Sequence, residues 1–141
     1  MLFSFEQYDG HDVQVVKIDS AQIFSARPRL NSFDLPEVQT VVSYFGPSRP
    51  RHRRLSTKTP PGEIVALLRT ALPIAQLTTV GGAPIYVDAA KVSDIREPSE
   101  RSPTGTKAVL VISTVRLPVT ETPADARAII DAARVGPVPS A

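Results

Sequence analysis

Four arginines fall within six residues of the stretch "GPSRPRHRRLSTK", residues 46–58: Arg49, Arg51, Arg53 and Arg54, with His52 among them. A guanidinium is planar and always charged, and it meets phosphate or carboxylate through two parallel N–H bonds. Pro47 and Pro50 keep this stretch from being a helix, so it is expected to form a hairpin loop with splayed arginines. One reading is a phosphate-binding loop for RNA, DNA or a nucleotide-like ligand. The other is a solvated turn that keeps an edge strand from aggregating. Tyr44 and Phe45 precede the loop but no aromatic lies inside it, which gives base stacking little support.

Other chemistry is sparse. The chain has no Cys, which excludes a disulfide framework, a thiolate metal site and a Cys nucleophile. His11 and His52 both fall in expected turns and show no zinc-ligand spacing. Asp9, Asp12 and Asp19 gather near Gly10 without the pattern of a calcium loop, and turn-forming aspartate accounts for them. No Walker A, G-x-G-x-x-G or G-x-S-x-G pattern occurs, and no Ser or Thr has an evident base partner. No catalytic residue, metal ligand or cofactor is nominated, so the sequence reads as a non-enzyme.

The elements that must position these groups follow from a repetition. "RLSTKTPPGEIVALL" (residues 54–68) returns as "RLPVTETPADARAII" (residues 116–130). Earlier segments also correspond: Phe5 with Leu77, Gly10 with Gly82, Asp19 with Asp88, Ile23 with Val92. The chain therefore reads as a tandem repeat of two small antiparallel β-sheet modules, residues 1–71 and 72–133, each followed by one short helix. The fold class is α+β, with the two modules fused into one compact domain about a pseudo-twofold. Residues 134–141, "RVGPVPSA", read as a flexible tail.

Within each module, short β-branched runs are bounded by Gly-containing turns. "FSFEQY" and "IAQLTTV" open the modules. "VQVVKI" and "PIYVD" follow, continued by "AQIFSA" and "AKVSDI" after a bend at Asp19 and Asp88. "VQTVVSYF" and "KAVLVIST" pair with the last strands, "RRLSTK" and "VRLPVTE". Thr122 is placed to cap the second helix, with Pro123 at its first position and Asp125 in its first turn. Ala126, Ile129, Ile130 and Ala133 make its apolar stripe, and Ile64, Leu67, Leu68 and Ala71 make that of the first helix. Leu30, Phe33 and Leu35 are too apolar for a plain solvated loop and are expected to contact the other module or another subunit. Residues 97–106, "EPSERSPTGT", read as an exposed loop, and the stretch "SERSPTGTK", which stands where the first module has its arginines, is nearly neutral.

Arg27 aligns with Arg96, and Arg54 with Arg116. Across a pseudo-twofold each pair would face one shared cleft, suited to an anionic ligand. The plainer reading is that these arginines end strands and solvate them.

The second module resembles the small FlbD-like proteins encoded near flagellar genes, and similar short phage proteins. The resemblance rests on "LTTVGGAPIYVDAAKVSDIRE" (residues 77–97) and "VTETPADARAII" (residues 119–130). Ile85, Val87, Val92, Ile95, Val119, Glu121 and Thr122 fit the pattern, and Asp125 stands where that family tends to have Glu. The doubled unit and the longer loop before Lys107 depart from it. The resemblance implies a small accessory or regulatory protein and offers no catalytic residues.

The bulk numbers set the remaining bounds. The chain has 141 residues, 42% hydrophobic and 21% charged, with 14 prolines and no Trp. That suits a folded, loop-rich protein with a core of Val, Ile, Leu and Ala. A net charge of +2 is a weak global field. No apolar run is long enough to span a membrane, and the N-terminus lacks a signal-peptide pattern, so a cytoplasmic protein is expected. The functional expectation is an oligomeric binding protein that sequesters or senses a small anionic, nucleotide-like ligand through Arg27, Arg96, Arg54 and Arg116. In size and β-rich character such a protein is similar to phage proteins that sequester nucleotide immune signals. The alternatives are a nucleic-acid-binding regulator using Arg49, Arg51, Arg53 and Arg54, and a structural subunit of a phage or appendage. Its partners are then a small anion or nucleic acid, and further copies of itself.

Overall fold

The computed structural model describes residues 1–29, 36–46 and 52–135. It is an α+β protein, rich in antiparallel β-structure with two helices. The chain divides into two compact units, Met1–Ala71 and Leu72–Ala141. Leu30, Phe33 and Leu35 lie outside the described residues, as do Arg49 and Arg51.

The first unit opens with β1 (Leu2–Tyr8) and β2 (Val13–Asp19), paired antiparallel. Alternation along β1 turns Phe3 and Phe5 inward, where their rings meet edge to face at 6.1 Å. Between the strands, Asp9 Oδ1 accepts from the His11 and Asp12 backbone N–H groups, both at 2.8 Å. Gly10 takes the left-handed conformation this turn needs (φ 103°). Asp9 therefore shapes the turn, and two amide donors hold its carboxyl below the ordinary aspartate range. The outward face of the hairpin carries Leu2, Val13 and Val15, all more than half exposed.

The bend expected at Asp19 is a short 3₁₀ turn, Ser20–Gln22. Asp19 caps it by accepting from the Ala21 N–H at 3.0 Å. The segment beyond is a separate strand, β3 (Ile23–Pro28), rather than a continuation of β2. β3 pairs with β4 (Thr40–Phe45), and β4 with β5 (His52–Thr57). Ile23, Phe24, Ala26, Val41, Val42 and Leu55 are buried there. Thr40 and Thr57 are buried too, and both hydroxyls bond within the turn at Thr59.

Helix α1 (Pro61–Leu68) has Pro60 at its cap and no side-chain cap bond. It packs on β3 through Ile64, Val65 and Leu68. The expected stripe is corrected at its end: the helix stops at Leu68, so Ala71 lies beyond it and is exposed, and Val65 completes the apolar face.

The second unit begins with β6 (Ile74–Thr78) and β7 (Pro84–Asp88), paired antiparallel about a turn that holds Gly82 at φ 89°. Asp88 caps a 3₁₀ turn, Ala89–Lys91, with its Oδ1 accepting from the Ala90 N–H at 3.0 Å. Its other oxygen pairs with the Lys91 ammonium, which satisfies a carboxylate that is almost fully buried. Then come β8 (Asp94–Arg96), β9 (Ala108–Ile112) and β10 (Val115–Val119), in the sheet order β10-β9-β8. Ser113 stands at φ 53° in the tight link between β9 and β10.

Helix α2 (Pro123–Val135) starts as its sequence dictates, with the Asp125 N–H donating to Thr122 Oγ1 at 3.2 Å. It buries Ala126 and Ile130 and packs on β6, β8, β9 and the 3₁₀ turn. Arg134 lies in the last turn of the helix, not in a tail. Its Nε donates to the Ala89 carbonyl at 2.9 Å, and its Nη2 to the Val92 carbonyl. The end of β6 is fixed by the segment between β10 and α2. The Thr78 N–H donates to Glu121 Oε1 at 3.0 Å, and the Thr120 N–H to the Thr78 carbonyl at 2.9 Å. No helix among the described residues is long and apolar enough to cross a membrane.

Candidate functional site

Strand register decides which side chains of the second unit meet. Arg96 stands opposite Val109, and Val109 opposite Pro118. One step along, Asp94 stands opposite Val111, and Val111 opposite Arg116. Side chains alternate across a sheet, so these six residues share one face. The other face carries Ala108, Leu110, Ile112, Val115 and Val119, all buried. One side of the sheet is thus wholly apolar, while the other sets Arg96, Arg116 and Asp94 around Val109, Val111 and Pro118.

The connection from β8 to β9 folds over that second face. It is built from turns: the Ser102 N–H donates to the Ser99 carbonyl at 3.0 Å, the Ser99 N–H to Ser102 Oγ at 3.0 Å, and the Thr106 N–H to the Pro103 carbonyl at 3.1 Å. Gly105, at φ 94°, supplies the left-handed residue of the last turn. Between loop and sheet lies a pocket of about 360 Å³. Arg96, Arg101 and Arg116 line it with Glu97, Ser99 and Ser102, over a floor that includes Val109 and Pro118.

The lining thus holds three arginines and one carboxylate residue, Glu97. Arg96 Nε donates to Asp94 Oδ2 at 2.8 Å, and the Asp94 carboxyl also accepts from the Ile95 N–H at 2.9 Å. The Arg96 bond first, and the Ile95 amide second, hold the Asp94 carboxyl below its ordinary range. Among the described residues, no carboxylate pairs with Arg101 or Arg116, so their donors remain open to a ligand. All three arginines are exposed, so their attraction for an anion is screened by salt. Cations and hydroxyls around an apolar floor are a lining suited to holding an anion with an organic body.

The residues nominated from sequence are distributed as follows. Arg96 and Arg116 come together in this pocket. Arg27 and Arg54 lie in the first unit, on β3 and β5, two strands apart on one face of the β3–β4–β5 ladder. Their ladder positions parallel those of the second unit: Arg27 stands in line with Val41 and Ser56, and Arg54 with Ser43 and Ser25. Arg27 Nη1 donates to the Pro28 carbonyl at 3.1 Å. Of the arginine-rich stretch, Arg53 and Arg54 are described, both exposed. They are adjacent on β5 and so face opposite sides of it. Arg53 lies against Gly46, where an added Cβ would come within 2.8 Å of its Nε. His52 sets its ring edge-on to Phe24 at 5.9 Å, and the His11 backbone N–H donates to Asp9 in its turn.

Sequence reasoning missed Glu97, Ser99, Arg101 and Ser102. They belong to the stretch read as an exposed loop, where the charges of Glu97, Glu100 and Arg101 nearly cancel. No local signal marked them: β8 and β9 are paired antiparallel neighbours, and which face of the sheet their long connection covers is set by tertiary packing. Among the described residues, no group of three or more His, Asp or Glu is placed to hold a metal ion. No protein-family model, curated protein or solved structure matches the chain.

Proposed function

We propose that this chain is a non-enzymatic binding protein for a small anionic, nucleotide-like ligand, seated in the second unit on Arg96, Arg101 and Arg116. One observation carries the reading: three arginines line a pocket of about 360 Å³ whose lining holds one carboxylate residue in return. The lining supplies hydrogen-bond donors and no imidazole or thiol, which suits retention rather than turnover. The volume sits toward the lower end of small-ligand sites, roughly 300–1,000 Å³, which suits one nucleotide or less.

The proposal extends to the chain's origin and assembly. The two units run through the same order of strand, strand, 3₁₀ turn, three strands and helix, with Asp19 and Asp88 capping the 3₁₀ turns alike. This order supports a tandem duplication of one module, and the FlbD-like resemblance of the second belongs to the same proposal. The exposed Leu2, Val13 and Val15 on one hairpin face support a homo-oligomer.

The test is isothermal titration calorimetry with inorganic phosphate and adenosine monophosphate, on the wild type and on R101A/R116A. Saturable binding that the double variant loses supports the reading, and heat-silent titrations of the wild type refute it. Nucleic-acid binding with a steep salt dependence, abolished by replacing the arginines of residues 49–54, would favour the regulator instead.

A further inference from the structure

We propose that Glu97 makes this pocket selective for a phosphate ester bearing hydroxyl donors, a ribose phosphate above all, over the bare anion. The inference rests on the anion-binding reading of the same pocket.

Glu97 lines the pocket beside three arginines, yet no hydrogen bond or ion pair engages its side chain among the described residues. The nearest candidate partner by sequence, Arg96, is committed through its Nε to Asp94. The Glu97 charge is therefore not spent on orienting the cations. Toward a bare phosphate it is a liability, because two anions in one pocket repel.

An ionised carboxylate only accepts hydrogen bonds. In an anion site it becomes favourable when the ligand brings donors along with its charge. Paired hydroxyls on a sugar do so, and dinucleotide sites divide the labour in the same way: N–H donors take the phosphate, and one acidic residue takes the ribose. Here Arg101 and Arg116 would take the phosphate and Glu97 the hydroxyls. The apolar floor of Val109 and Pro118 lies where the carbon face of a ring would rest. Ser99 and Ser102 accept from backbone amides of their own loop and so hold its shape; the carboxylate of Glu97 is the stronger acceptor for a ligand hydroxyl.

Calorimetry on the full chain tests this with inorganic phosphate and ribose 5-phosphate as probes, on the wild type and on Glu97→Gln. The wild type is expected to prefer ribose 5-phosphate by roughly tenfold, the scale of one hydrogen bond to a charged group. Glu97→Gln should narrow that preference to about twofold, with phosphate itself bound equally or more tightly. Equal affinity for the two probes in the wild type, or a preference that survives Glu97→Gln, overturns the inference while leaving the anion site standing. Binding of neither probe removes the anion site, and the inference with it. Glu97 is exposed, so an unchanged melting temperature is expected to confirm that the variant is folded.

Discussion

Asp94 and Arg96 point to the same side of one three-residue strand, and the carboxylate holds the guanidinium by its Nε at 2.8 Å. Arg96 also lines the pocket, from which Asp94 itself is absent. A carboxylate outside the lining thus sets the orientation of a cation within it.

This pair gives a pH prediction. The folded-state pKa of Asp94 is depressed below the ordinary value of 3.8. Its contribution is therefore complete above the unfolded pKa and is lost as pH falls through the folded one. Carbon-detected NMR titration should place Asp94 below 3.8, and Arg96→Ala should move it back toward that value. An Asp94 that titrates normally in the wild type would contradict the pairing.

Arg101 and Arg116 make the second prediction. Each single alanine variant should weaken phosphate binding by roughly tenfold, the lower end for a charge-assisted hydrogen bond. Arg27→Ala, on a strand of the first unit, should leave phosphate affinity within about twofold. Comparable losses at Arg27 would move the site elsewhere.

Arg134 makes the third. It ties the last turn of α2 to the Ala89 and Val92 carbonyls, and its side chain is 40% exposed. Partial exposure lets water replace some of what is lost. Arg134→Ala should cost about 1–2 kcal/mol in a urea unfolding series. Arg134→Lys should recover little, because an ammonium cannot reproduce the fork.

Ser113 offers a gain. At φ 53° it occupies the left-handed region, which costs a non-glycine residue roughly 1–2 kcal/mol. Ser113→Gly removes that cost and adds unfolded-state entropy of roughly 0.5–1 kcal/mol. A net rise in stability of about 0.5 kcal/mol, read as a higher melting temperature, is the expected result.

Much of this was legible in the residues. Cap chemistry at Thr122 is a local signal, and α2 begins where it is placed; the run "FSFEQY" lies within β1, which begins one residue earlier at Leu2. The 3₁₀ turns at Asp19 and Asp88 were visible only as bends, because one side-chain bond decides between a bent strand and two strands. The end of α1 was misread because periodicity continues through Ala71 after the hydrogen-bonded helix has stopped. The pocket was half legible. Arg96 and Arg116 stood out by their aligned positions, but a register on β9 brings them to one face, and no local pattern contains a register. Arg101 was hidden by its acidic neighbours, since net charge counts a loop's residues without regard to the side each one faces.

The bond between Thr78 and Glu121 spans 43 residues of chain. On a ribosome adding roughly 5–20 residues per second, β6 would leave the exit tunnel roughly 2–9 s before its partner. For most of that interval the first strand of the second unit has its hairpin mate, β7, but not its far anchor. Closure of this unit during synthesis therefore waits for residue 121 to emerge, and slow codons between β6 and β10 would lengthen that wait.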